Sequence, residues 1–235
     1  MRPEIIAVAF DLDGTLYPDY RLNLRLLPFL LKHGRFVAAF GKARNQIRRE
    51  QELDPEFLRQ DFFNYQARLT AVRLNAPPEQ VRRNIDAFIY RGFEPHFTKI
   101  RLYPHVKELL TELKEKRYKL GLLSDFPPEI KLKNLGIAGF WDAVLGSETV
   151  GALKPAPRPF TELASALGCP PENILYVGNS LLYDVAGAQR SGMKTALLAK
   201  PLTPRRQTSG TTKADFIFHD YRQLRDFVLQ YSHAF

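Results

Sequence analysis

The residues able to do chemistry in this chain fall in four short segments. Asp11-Leu12-Asp13-Gly14-Thr15 sets two carboxylates two residues apart with a glycine behind them, so both can turn toward one pocket as the chain leaves a strand. Taken alone, the same run reads equally well as a solvated turn. Leu123-Ser124-Asp125 ends a second apolar run. There a hydroxyl and free backbone N–H groups can hold an anion such as phosphate, although a serine in this place also serves as a plain helix cap. Lys154, fixed beside Pro155 and Pro157, can place one positive charge near such an anion, or simply face solvent. Val177-Gly178-Asn179-Ser180, followed by Asp184, supplies amide and carboxylate oxygens of the kind that hard cations require.

Each of these segments needs a rigid element to hold it, and the sequence supplies a short apolar or β-branched run before each. Strands are expected at 5–10, 119–123, 143–145, 174–177, 195–198 and 216–218, with helices at 104–116, 128–135, 157–167, 182–191 and 221–230. Pro104, Pro128, Pro157 and Pro171 fall at or near helix starts, where a fixed φ is tolerated, and Gly136, Gly168 and Gly192 fall where helices end. This rhythm predicts an α/β fold whose core is a Rossmann-like parallel sheet with crossover helices.

Residues 17–99 break the rhythm and read as amphipathic helices at 22–40, with a continuation to 52, then 56–74 and 78–90. Asp54-Pro55-Glu56 is a good helix start, with a capping carboxylate and a proline in the first turn. The prediction is an inserted α-helical cap domain over 17–99, with the core built from 1–16 and 100–235. Its place after the first strand makes it a lid over the carboxyl ends of the strands, where α/β sheets bind ligands. Phe29, Phe36, Phe40, Phe62 and Phe63 recur at helical spacing, which favours insert core over a ligand box.

Composition narrows the class. At 235 residues, with 45% hydrophobic and 25% charged residues, the chain is ordinary globular material with room for two cores. The apolar start meets Asp11 too soon for a signal peptide, and no window approaches the roughly 18 apolar residues of a membrane span. A cytoplasmic protein without membrane partners is expected. Cys169, the single cysteine, precludes an intramolecular disulfide and reads as a small buried or loop thiol without a catalytic role. Of the net +9, residues 17–99 carry +6, from 15 Lys and Arg against 9 Asp and Glu. Those cations are scattered at helical spacing, which favours solvated helix faces over a nucleic-acid site.

In their order and setting, Asp11 to Leu16, Ser124, Lys154 and Asn179 to Asp184 resemble the four motifs of the haloacid dehalogenase-like hydrolases, and the likeness spans nearly the whole chain. The insert is similar to the helical cap of the phosphoglycolate phosphatase-like subfamily. The resemblance implies a magnesium-dependent phosphohydrolase acting on a small phosphorylated metabolite. It implies Asp11 as nucleophile, Asp13 as general acid/base, Ser124 and Lys154 as phosphate ligands, and Asp11, the Asp13 carbonyl, Asn179 and Asp184 as the Mg2+ site. Electrostatics points the same way, because a carboxylate approaching a phosphate dianion needs nearby positive charge. Thr15 is expected to orient Asp13 or the flap.

Two departures stand out. Asn179 replaces the family's usual aspartate, and Asp125 stands where a small or amide residue is common; it is expected to turn away and cap the next helix. Three alternatives accompany the phosphatase reading: a haloacid dehalogenase, which needs no acid at Asp13; a mutase; and a low-turnover phosphate- or nucleic-acid-binding member of the fold. Specificity has no readable motif, and Tyr17, Tyr20, Arg21 and Arg25 are candidates only because they follow the catalytic loop.

Overall fold

The computed structural model describes residues 4–54, 60–92, 94–97, 99–199 and 212–231. The chain enters through strand β1, Ala7–Phe10, every residue of which is buried. Helices α1 (Asp19–Leu53), α2 (Phe62–Leu74), α3 (Pro78–Asn84, continued by a π-helical turn, Ile85–Tyr90) and the short α4 (Glu94–Phe97) follow. Next come α5 (Val106–Glu115), β2 (Lys119–Ser124), α6 (Glu129–Asn134) and β3 (Ala143–Gly146). After them run α7 (Pro157–Leu167), β4 (Ile174–Gly178), a π-helical turn (Leu181–Val185) and α8 (Ala186–Arg190). Strands β5 (Lys194–Leu198) and β6 (Phe216–Phe218) and helix α9 (Tyr221–Tyr231) close the chain.

The six strands form one parallel sheet in the order β3-β2-β1-β4-β5-β6. Parallel strands need both faces covered, and β1 shows how its sequence answers both. Val8 and Phe10 point into a cluster with Leu109, Leu110 and Leu113 of α5, while Ala7 and Ala9 point into one with Phe160, Leu163 and Leu167 of α7. Helix α5 buries Val106, Leu109, Leu110 and Leu113, and α7 buries Phe160, Leu163, Ala164 and Leu167. Both follow the i, i+3, i+4, i+7 spacing of a one-sided helix, and each large apolar side chain so buried contributes about 1.5–3 kcal/mol. Strand order reverses between β1 and β4, the point at which doubly wound sheets open a ligand crevice at the strands' carboxyl ends.

Helix α1 runs unbroken for 35 residues, with Pro28 inside it, and so takes in both the expected 22–40 helix and its continuation to 52. The helix start at Asp54-Pro55-Glu56 lies largely in residues 55–59, outside the described residues. Of the aromatic stripe, Phe36 and Phe40 share a cluster with Ala67, Val81, Ile85 and Ile89, and Phe62 packs on Ile47 and Leu153. No helix among the described residues is long and apolar enough to cross a membrane.

Candidate active site

All four sequence segments meet at the β1–β4 crevice. Asp11 continues β1, its backbone N–H donating to the Val177 carbonyl of β4 at 2.9 Å. Its carboxylate is buried and held at both oxygens: Thr15 Oγ1 donates to Oδ2 at 2.6 Å, and Lys154 Nζ donates to Oδ1 at 2.7 Å. Thr15 therefore orients Asp11, contrary to the expectation that it would orient Asp13. The reason is local, since the tight turn at Gly14 brings residue 15 back over residue 11. Lys154 Nζ also donates to Asp184 Oδ1 at 2.6 Å.

Two carboxylates thus share one buried ammonium. Burial pushes the Asp11 carboxyl up to about 7, with Lys154 pulling the other way and the charges of Asp184 and Asp13 adding to the rise. Burial alone would lower Lys154, but Asp11 and Asp184 hold it well above the ordinary lysine value.

Asp184 is placed by the turn after β4. Its Oδ2 accepts the backbone N–H groups of Asn179 at 3.1 Å and Ser180 at 3.0 Å, and Ser180 Oγ accepts the N–H of Tyr183 at 3.1 Å. These bonds open the first turn into the wide π-helical geometry of 181–185, where a regular helix from 182 was expected. A Cβ on Gly178 would stand 2.3 Å from the Cβ of Asp184, so only glycine lets the strand end come this close. Asn179 Nδ2 donates to the Asp13 carbonyl at 3.3 Å.

Asp13 faces the other side of the loop. Ser124, fully buried at the end of β2, offers Oγ to Asp13 Oδ2 at 3.5 Å and accepts the N–H of Phe126 at 3.1 Å. Lys131 of α6 grips both Asp13 oxygens, at 2.7 and 2.6 Å, and the Tyr17 hydroxyl donates to Oδ1. Burial and the Asp13 charge raise the Tyr17 phenol far above its usual range, so it is a proton donor to Asp13 and not a phenolate. Sequence reasoning missed Lys131. It lies 118 residues from Asp13 on a helix whose polar face looks ordinary, and no spacing rule links the two.

Asp125 corrects a further expectation. It does turn away from Asp11, but it does not cap α6, whose first turn has no side-chain cap. Its carboxylate instead pairs with Arg48 at 2.7 Å and Arg44 at 3.6 Å and accepts the Lys154 backbone N–H at 3.1 Å. Burial would raise Asp125, yet Arg48, Arg44 and Lys154 together bring it down to about 2. Of the remaining candidates, Tyr20 is largely exposed, and the side chain of Arg21 is outside the described residues. Cys169 is buried, its thiol within 3.4 Å of the Leu167 carbonyl.

The donors around the crevice are all hard: the Asp11 and Asp184 carboxylates, the Asp13 carbonyl and the Asn179 amide. One ammonium stands between two buried carboxylates, so the crevice carries net negative charge. This chemistry fits a divalent ion of the magnesium type. Among the described residues, no three His, Cys, Asp or Glu side chains form a metal cage by themselves, so the backbone carbonyl and the amide would have to take part.

A parallel α/β sheet with acidic residues, a lysine and a serine at its topological switch point places the chain among doubly wound proteins able to hold and accept phosphate there. The chain belongs to the haloacid dehalogenase-like hydrolase family, whose model matches residues 5–192. It is 30% identical over 204 residues to the glyceraldehyde 3-phosphate phosphatase of Methanopyrus kandleri, covering 83% of this chain and 84% of that protein. It is 31% identical over 200 residues to pyrophosphatase PpaX of Bacillus velezensis, covering 83% of each. The fold is similar to that of the L-2-haloacid dehalogenase RSc1362, with a TM-score of 0.67 and 24% identity over 96% of this chain and 99% of that one.

Proposed function

We propose that this chain is a magnesium-dependent phosphomonoesterase acting on a small phosphorylated metabolite, with residues 17–99 serving as its cap. The observation that carries this reading is the convergence of Asp11 and Asp184 on buried Lys154, with Asp13 and Ser124 beside them. The names of the two phosphatase relatives support the same reaction class.

In this mechanism an Asp11 oxygen attacks phosphorus, the P–O bond to the organic group breaks, and Asp13 delivers its proton to the departing alkoxide. Water then attacks the phosphorus of the aspartyl phosphate, giving its proton to Asp13, and the Asp11–phosphorus bond breaks to release inorganic phosphate. Lys154 and Ser124 hold the phosphate oxygens, and Thr15 keeps Asp11 aimed. Asp11, the Asp13 carbonyl, Asn179 and Asp184 would hold Mg2+; bound there, the ion supplies the charge that offsets repulsion between carboxylate and phosphate. Dehalogenase chemistry has no use for an acid at Asp13, so the presence of a second carboxyl at that place, beside Ser124, favours phosphoryl transfer.

Replacing Asp11 by Asn tests the reading. The variant keeps its thermal melt within a few degrees and loses p-nitrophenyl phosphate hydrolysis by at least about a thousandfold, because a carboxamide is not a nucleophile of comparable strength. Turnover near the wild-type rate in protein shown by mass to be free of deamidation would refute the nucleophile assignment.

A further inference from the structure

The proposed chemistry fixes where the organic part of the substrate must lie. Asp13 protonates the departing oxygen, so the leaving group sits on the Asp13 side of the phosphate, away from Asp11 and Lys154. That side opens into a cavity of about 320 Å³ between the core and the first helices, within the size range of small-molecule sites. Its walls are mainly apolar: Leu22, Leu26, Ile89, Phe97, Phe126 and Ile130 line it.

The polar groups there are already engaged or carry negative charge. Tyr17 gives its hydroxyl to Asp13, while Tyr90 donates to Glu148 and accepts from Gln66. Lys131, the single cation among the described lining residues, is clamped to Asp13, with its ammonium about 5 Å over the Phe97 and Phe126 rings. Asp19 and Glu129 add acid to the rim. Among the described lining residues, a second phosphate or carboxylate in this space would meet carboxylates and no spare cation, and a polyhydroxylated chain would find few partners for its hydroxyls.

From this cavity we infer that the substrate is a phosphate monoester of a predominantly apolar, uncharged alcohol, and not pyrophosphate, a bisphosphate or a phosphorylated acid. The inference rests on the phosphatase reading and adds the class of leaving group to it.

A series of n-alkyl phosphates from ethyl to hexyl tests it with the magnesium-loaded protein, since the leaving-group basicity is nearly constant along the series while apolar length grows. With p-nitrophenyl phosphate as the control for phosphatase activity, kcat/KM should climb by up to roughly fourfold per methylene. Pyrophosphate should fall at least about tenfold below the hexyl ester. The variant Ile130→Asp, at a wall position 43% exposed and so tolerant of substitution, should flatten the slope mainly through KM. A flat or falling series with the control turned over, or a preference for pyrophosphate, overturns the inference and leaves the phosphatase reading standing. Absence of turnover with every ester, control included, overturns the phosphatase reading itself, and the inference with it.

Discussion

At the scale of single residues, Asn179 is where this chain's metal chemistry is most exposed to test. Its amide N–H spans the 3.3 Å to the Asp13 carbonyl, so in Asn179→Asp two acceptors face each other with no proton between them. A bound cation relieves that contact. Without added metal the variant should melt lower, by about 1 kcal/mol, because the lost hydrogen bond is only half-buried. With magnesium its half-saturating concentration in a phosphatase assay should drop on the order of tenfold, because charge count sets affinity for hard cations. A titration curve superimposable on the wild type would place Asn179 outside the coordination sphere. The candidates Asp11, Asp13, Ser124, Lys154, Asn179 and Asp184 were legible because each follows a strand signal. Lys131 and the true partner of Thr15 were not, because both depend on where the chain returns in space.

At the scale of elements, α1 is the member that ties the helical segment to the sheet. Arg44, Arg48 and Gln51 occupy one face at i, i+4 and i+7. Arg44 pairs with buried Glu148, Arg48 donates to the Lys154 carbonyl at 3.0 Å, and Gln51 accepts the Leu153 N–H at 3.3 Å. Burial would lower the Arg44 guanidinium, but Glu148 and Asp125 keep it above its ordinary value and charged. The loop that carries Lys154 is therefore clamped from above, and Asp125 is the shared acceptor of the clamp.

A folded Asp125 titrating near 2, against 3.8 for an ordinary aspartate, binds its proton less readily than the unfolded chain does. Its stabilisation is thus complete above about pH 4 and is lost as pH falls toward 2, and it is worth on the order of 2 kcal/mol. Asp125→Asn should lower the urea midpoint accordingly at pH 7, with a smaller gap from wild type at pH 3. An equal gap at both pH values would mean that the carboxylate's charge does not matter. Periodicity made the helix legible, but its one-sided arginines resemble a solvated face until their partners, more than 70 residues away, are in view.

At the scale of the whole molecule, the question is what the net charge of +9 is for. The parallel sheet and its strand limits followed from the sequence almost residue by residue, because buried parallel strands leave unmistakable apolar runs. Charge is harder to read, since the same arginines can line a nucleic-acid groove or satisfy neighbouring acids. The structure shows many of them already committed within the helical segment. Arg44 and Arg48 serve the clamp, Arg68 pairs with Asp61, Arg82 with Asp86, and Arg73 donates to Gln46 at 2.6 Å. A nucleic-acid site needs several cations converging on one surface and free to replace counterions; each phosphate neutralised steepens the salt dependence of binding by nearly one unit on logarithmic axes. With Arg44, Arg48, Arg68, Arg73 and Arg82 engaged by internal partners and the cavity rim acidic at Asp19 and Glu129, this protein should bind duplex DNA or RNA only weakly. Fluorescence anisotropy with a labelled duplex should show no saturable binding at micromolar protein in 150 mM salt, with any low-salt binding lost on raising it. Micromolar affinity that persists at 150 mM salt and falls steeply above it would put the low-turnover, nucleic-acid-binding alternative ahead of the phosphatase reading, and would turn attention to the cations that the helices leave on their outer faces.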